Sequence, residues 1–143
     1  MIMRIAAQDD MEVLTGYEKH IRKEELASSV RLGRVIVAEE GKKEGEGERE
    51  KIIGWLRWNL FWDNTPFMNM LFLLDGYRHR GYGKEMVSDW ERRMRNEGYR
   101  MVMTSTLASE TAQHFYRKLG YVDSGALLLP NEALEIIFIK NFA

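Results

Sequence analysis

The sequence predicts a mixed α/β domain: a single central mixed, largely antiparallel sheet of about seven strands, flanked by about four helices. Three observations predict it. Short apolar, β-branched runs recur between turn residues and outnumber the helical patterns. Consecutive strands come before strand–helix–strand units, which separates the chain from a doubly wound dinucleotide fold that alternates throughout. The length, 143 residues, suits a single domain spanning 1–143, long enough to bury its own core.

The elements follow in order. Met3 to Ala7 reads as a first strand. Asp9 and Asp10 are good helix N-caps, and Met11, Leu14, Tyr17 and Ile21 then recur at helical spacing. A second helix over Lys23 to Leu32 stops at Gly33. Arg34 to Ala38 is a strand by its β-branched content. Residues 41–51, GKKEGEGEREK, hold no apolar side chain, and four bases cancel four acids. They read as a solvated, mobile hairpin loop rather than an interaction tail. Strands follow from Ile52 to about Trp62 and from Phe67 to Leu74, with turn chemistry at Asp63-Asn-Thr-Pro66 between them. Lys84 to Asn96 is an amphipathic helix whose Met86, Val87, Trp90 and Met94 share a face. Met101 to Thr106 is a strand and Glu110 to Leu119 a helix, with Ser109 as its N-cap and Gly120 its stop. Two strands surround Asn131: Tyr121 to Leu129 and Leu134 to Ile139.

Composition excludes several functions. Cys is absent, which removes disulfides, thiolate metal sites and a cysteine nucleophile. His20, His79 and His114 do not fall at metal-ligand spacing, so no metal is expected. Twenty-one Lys and Arg nearly balance 22 Asp and Glu, which argues against a global grip on nucleic acid or a membrane. No apolar run spans a bilayer, and the N-terminal acids argue against a signal peptide. A cytoplasmic location is the expectation. The oligomeric state stays open, a homodimer included.

The chemistry-bearing segment is Asp75-Gly-Tyr-Arg-His-Arg-Gly-Tyr-Gly-Lys84. An apolar strand enters it and an amphipathic helix leaves it. Gly81 and Gly83 allow a tight turn and close backbone approach. The helix beginning near Gly83 offers unpaired N–H groups and the positive end of its dipole. Arg78, Arg80 and Lys84 add positive charge, and together these features suit a phosphate or pyrophosphate. A P-loop would need Ser or Thr where Glu85 stands, and a dinucleotide fingerprint a glycine where Met86 stands. Taken alone, the segment reads better as a tight turn with solvated charges. A second constellation runs from Ser109 to Tyr121, with Ala112, Phe115, Tyr116 and Leu119 on one helical face. By itself this is a bland amphipathic helix with Tyr116 as a half-buried core aromatic.

The two segments together, in this order and spacing, resemble the GNAT superfamily of N-acetyltransferases. The first resembles that family's acyl-CoA pyrophosphate loop, [Gln/Arg]-x-x-Gly-x-[Gly/Ala]. The second resembles its Asn-x-x-Ala-x-x-Phe-Tyr-x-Lys-x-Gly-Phe helix. The order of elements also matches the family's fold, so the resemblance covers nearly the whole chain. Ser109 stands where the family often has Asn, and Asp75 where it often has Pro.

The resemblance implies an acetyl-CoA-dependent transfer to a primary amine of a small molecule or protein, by direct attack in a ternary complex. Arg78, His79, Arg80, Gly81, Tyr82, Gly83 and Lys84 would form the pyrophosphate cradle, and Ser109 would meet the pantetheine arm. Backbone groups near Leu71 and Leu73 would pair with the pantetheine and bind the thioester oxygen. Tyr116 would protonate the leaving thiolate, for which a phenol is a donor of suitable strength. The base is not identified: Asp63, Asp75, Glu135 and a water chain all stay open. Trp55, Trp58, Phe61 and Trp62 read either as sheet core or as an aromatic wall for a cationic acceptor. Strand alternation puts Trp58 and Trp62 on one face, and Trp62 beside Asp63 is the best acceptor candidate of the four. The alternatives are a non-catalytic acyl-CoA sensor of the same fold and, less well supported, nucleic-acid binding through Arg78, Arg80, Arg92, Arg93 and Arg95. In that last case Glu91 and Glu97 break the run, so a solvated face accounts for it better.

Overall fold

The computed structural model describes residues 1–41 and 51–142. The expected hairpin loop at 41–51 therefore lies, from 42 to 50, outside the described residues. The elements are β1 (Ile2–Ile5), α1 (Met11–Tyr17), α2 (Lys23–Arg31), β2 (Val35–Glu39), β3 (Ile52–Phe61), β4 (Thr65–Leu73), α3 (Tyr82–Asn96), β5 (Met101–Leu107), α4 (Ala112–Lys118), β6 (Val122–Leu127) and β7 (Glu135–Asn141). The strand order is β1-β2-β3-β4-β5-β7-β6. β4 and β5 run parallel, while β1–β2, β2–β3, β5–β7 and β6–β7 are antiparallel. Among the described residues, the mixed, largely antiparallel seven-stranded sheet and four α-helices are as the sequence predicts. Among the described residues, no helix is long and apolar enough to cross a membrane.

The chain groups into two compact units, Met1–Trp58 with Met70–Trp90, and Asn59–Asn69 with Glu91–Ala143. The first unit buries both faces of β2, whose Val-Ile-Val-Ala run shows no polar alternation. Val35 and Val37, with Trp55 of β3, pack against Leu14 of α1 and Leu26 and Val30 of α2. On the opposite face Ala38 and Ile53 meet Met86 of α3. Alternation along β2 separates Val37 from Ala38, and the register shift between Ala38 and Glu39 puts Ile53 on the face opposite Trp55, two residues away on β3. Gly54 is required by close approach: a Cβ there would lie 2.4 Å from the Phe72 carbonyl oxygen. Trp55 stacks on Phe72 at 4.5 Å and is fully buried, and Trp58 is buried too, so both are sheet core.

Polar side chains also brace this unit. Arg57 on β3 donates to both carboxylate oxygens of Glu18 at 3.1–3.3 Å, in a buried pair. Asp10 precedes α1 but makes no side-chain cap to it. Its carboxylate instead accepts from the Ala7 amide at 2.7 Å and from both terminal nitrogens of Arg4 at 2.7–2.8 Å. The Arg4 guanidinium holds the Asp10 carboxyl below its ordinary value.

In the second unit β7 lies between β5 and β6. Phe138 is opposite Thr104, and Ile137 is opposite Ser105. Glu91 on α3 is buried and accepts from the Tyr121 hydroxyl at 2.9 Å and from Lys140 Nζ at 2.8 Å. Gly98 and Gly120, at φ 94° each, take the left-handed conformation that ends α3 and α4.

Three local expectations need correction. α4 begins at Ala112 with Thr111 as N-cap, not Ser109. The Glu110 amide bonds back to the Leu107 carbonyl at 3.0 Å, so residues 108–110 make a turn before the helix starts. Strand β3 stops at Phe61, because Trp62 and Asp63 both adopt left-handed backbone, φ 54° and 61°. Strand alternation therefore ends before Trp62, which does not share the Trp58 face. β6 ends at Leu127 rather than Leu129.

Candidate active site

In the first unit, β4 leads through a 3-10 turn at Asp75–Tyr77 into the glycine segment. His79 and Gly81 take positive φ, 63° and 83°, and bracket Arg80. These two left-handed positions swing the chain into α3, which starts at Tyr82. The first helical bond runs from the Glu85 amide to the Gly81 carbonyl at 3.1 Å. The amides of Tyr82, Gly83 and Lys84 precede it, so no helix carbonyl can satisfy them. They lie at the positive end of a 15-residue helix, where such amides suit an anion.

The cations around this turn are not equivalent. Arg78 Nε donates to the Leu73 carbonyl at 3.1 Å, and its Nη1 pairs with Asp75 at 3.1 Å. Both contacts are solvent-exposed and local to the loop. Arg80 and Lys84 are exposed, and the Arg80 guanidinium sits 5.7 Å from the Tyr77 ring centroid. Lys51 approaches the same ring at 5.7 Å. Tyr77 is itself anchored, its hydroxyl donating to Glu40 at 2.6 Å. That bond to Glu40 raises the phenol above its ordinary value. Leu71 and Leu73 are half-buried, their side chains against the Ala38–Ile53–Met86 cluster.

In the second unit, α4 carries Tyr116, which is 7% exposed. Its ring meets Phe115 at 5.1 Å, Tyr121 at 5.6 Å and Phe138 at 6.1 Å. Burial pushes the phenol up to about 12, against a smaller lowering by a hydrogen bond with Thr104. Thr104 Oγ1 also donates to the Met68 carbonyl at 3.0 Å. Tyr116 is therefore both a packed aromatic and a protonated phenol at neutral pH. Ser109 is exposed in the turn before α4.

A pocket of about 350 Å³ opens in the same unit. The sequence reading missed it. Its polar lining is Asn59, Asn69 and Ser105, and its apolar lining includes Phe61, Phe67, Leu127 and Ile137. Asn59, Asn69 and Ser105 interrupt apolar strands, which was the available signal. Of the three candidate carboxylates, Glu135 accepts from Ser105 Oγ at 2.9 Å and so reaches the pocket wall. Asp63 is exposed in the β3–β4 turn, and Asp75 is exposed and paired with Arg78. Trp62 is 79% exposed and rests on Phe61, ring centroids 4.8 Å apart. Among the described residues, no group of three or more metal-ligating side chains comes together.

Residues 31–123 match the family model described as an acetyltransferase (GNAT) domain. A search of curated protein sequences finds no match. Similar solved structures include a GNAT-family acetyltransferase from Bacillus cereus ATCC 10987, 22% identical, covering 98% of this chain and 96% of that one, with TM-score 0.73. A ribosomal-protein-alanine N-acetyltransferase from Brucella melitensis is 16% identical over 99% of each chain, with TM-score 0.74. The PaiA N-acetyltransferase from Thermoplasma acidophilum, in complex with coenzyme A, is 16% identical over 98% of each, with TM-score 0.74.

Proposed function

The chain belongs to the GNAT acetyltransferase family, and from that premise we propose that it transfers the acetyl group of acetyl-CoA directly to a primary amine. The observation that carries this reading is the turn at His79 and Gly81, which starts α3 at Tyr82 and leaves its first amides without helix carbonyl partners, in a segment that also holds Arg80 and Lys84. Such a cradle suits the pyrophosphate of coenzyme A, and solved relatives include one in complex with coenzyme A.

In the proposed reaction the amine nitrogen attacks the thioester carbonyl carbon. A C–N bond forms, the C–S bond breaks, the amine loses a proton and the thiolate gains one. Backbone amide near Leu71 to Leu73 supplies a donor to the developing oxyanion, a contribution of about 3–4 kcal/mol in comparable sites. Tyr116 gives its proton to the thiolate, and burial keeps that proton in place across the working range. Glu135 is the carboxylate best placed to accept the amine proton, through its link to the pocket wall at Ser105. Ser109 contacts the pantetheine arm from the turn before α4.

The test is thermal shift with acetyl-CoA against ATP and NAD, followed by release of free thiol with an amine panel. Stabilisation by acetyl-CoA alone, with amine-dependent thiol release, supports the reading. No stabilisation by any coenzyme A species overturns it. Stabilisation without transfer to any amine leaves a binding module of the same fold.

A further inference from the structure

We infer that the pocket beside β5 and β7 is the acceptor subsite, and that it takes a primary amine carried on a small apolar body. This rests on the acetyl-transfer reading above.

The pocket sits where a ladder ends. β4 and β5 pair at Phe67↔Met103 and Met68↔Thr104. Asn69 and Ser105 are the next residue on each strand, and both line the pocket. Strand alternation then separates two faces. Ser105 is opposite Ile137, while Glu135 is opposite both Leu107 and Leu127, so these side chains share the pocket face. Thr104 and Phe138, also opposite each other, face the other way, toward Tyr116. A nucleophile held in the pocket thus approaches the end of the ladder from the face opposite Tyr116. Attack from one side and protonation of the leaving group from the other need that separation.

The lining selects the ligand. Phe61, Phe67, Leu127 and Ile137 provide an apolar wall, with Asn59, Asn69 and Ser105 as hydrogen-bonding groups. No lining side chain is cationic, and the carboxylate within reach is Glu135, fixed by Ser105. One carboxylate beside an apolar wall complements one ammonium on a hydrocarbon or aromatic body. It does not complement a polyamine or an amino sugar, whose further charges or hydroxyls would lie against Phe and Ile. The volume, about 350 Å³, lies at the small end for ligand pockets, so one aromatic or aliphatic group fills it. Such a group comes from a free arylalkylamine or from the first residue of a peptide.

The experiment uses the full chain with phenethylamine, a Phe-initiated peptide, spermidine and an amino sugar as acceptors. Phenethylamine or the Phe-initiated peptide should exceed spermidine and the amino sugar at least tenfold in kcat/KM, and the better of the two identifies the source. Leu127→Trp, at a half-exposed edge-strand position, should fill the pocket, raise KM for that acceptor about tenfold and leave the acetyl-CoA thermal shift intact. Glu135→Gln should raise the same KM. Calorimetry of phenethylamine and of the peptide, with coenzyme A present, gives a readout independent of turnover. Binding that Leu127→Trp abolishes, without transfer, keeps the pocket and refutes the acetyl-transfer reading. Equal use of spermidine, or an unchanged KM and binding in Leu127→Trp, overturns the pocket assignment.

Discussion

The rings of Tyr116 and Tyr121 meet edge-on, 5.6 Å between centroids, yet their hydroxyls have different partners. Tyr121 donates to the buried Glu91 at 2.9 Å. Tyr116 is associated with Thr104 at the end of the β4–β5 ladder. Two tyrosines five residues apart therefore direct their hydroxyls to different partners, a buried carboxylate and a strand threonine.

Removing each hydroxyl should expose that division. Tyr116→Phe is expected to lower kcat about 100-fold with little change in acetyl-CoA affinity, the size of a lost general acid. Tyr121→Phe should leave kcat within a few-fold and cost roughly 1–3 kcal/mol in urea denaturation, because Glu91 loses a buried donor. Steady-state kinetics and denaturation on both variants check the pair.

The same two phenols make stability pH-dependent on the alkaline side. Burial raises Tyr116 to about 12, and burial together with Glu91 raises Tyr121 further. Both lie above the ordinary phenol value of ~10. Their contribution is then complete below ~10 and is lost as pH rises through the folded-state values. The urea midpoint should hold steady up to pH ~10 and fall from there toward ~12, and by less in Tyr121→Phe. A pH-rate profile should show no loss of kcat from Tyr116 below ~10.

Glu18 and Arg57 form a buried pair, their side chains 2% and 11% exposed. Removing one partner strands the other charge. Glu18→Ala is expected to cost about 3–5 kcal/mol, while replacement of both residues by apolar ones of similar volume should cost much less. Denaturation of the single and double variants measures this.

Gly81 and Gly54 are glycines for different reasons. At Gly81 the backbone is left-handed but the space is open, so Gly81→Ala should fold with a loss of roughly 1–2 kcal/mol and weaken acetyl-CoA binding. At Gly54 a Cβ would strike the Phe72 carbonyl, so Gly54→Ala should disrupt the β3–β4 pairing itself. Calorimetric titration with acetyl-CoA separates the first from the second, which should lose stability before ligand is added.

Much of the fold was legible because its signals are local. Positive φ at Gly33, Gly98 and Gly120 follows from helix ends that need a residue without Cβ. The Met86, Val87, Trp90, Met94 face is buried as its 3.6 spacing requires. Local rules failed where a turn intervened: Trp62 left the strand pattern, and Thr111 displaced Ser109 as the cap of α4.

By itself the sequence determined the order of the elements, the glycine turn ahead of α3 and the absence of cysteine chemistry. Each is a property of a few adjacent residues or of composition. Only the tertiary structure decided that burial keeps Tyr116 protonated, and that Asn69, Ser105, Leu127 and Ile137 enclose one pocket. The pocket depends on pairing β5 with β7 before β6, which brings together residues far apart in the chain. Spacing along a sequence records what a backbone does over one or two turns. It does not record which strands, once folded, become neighbours.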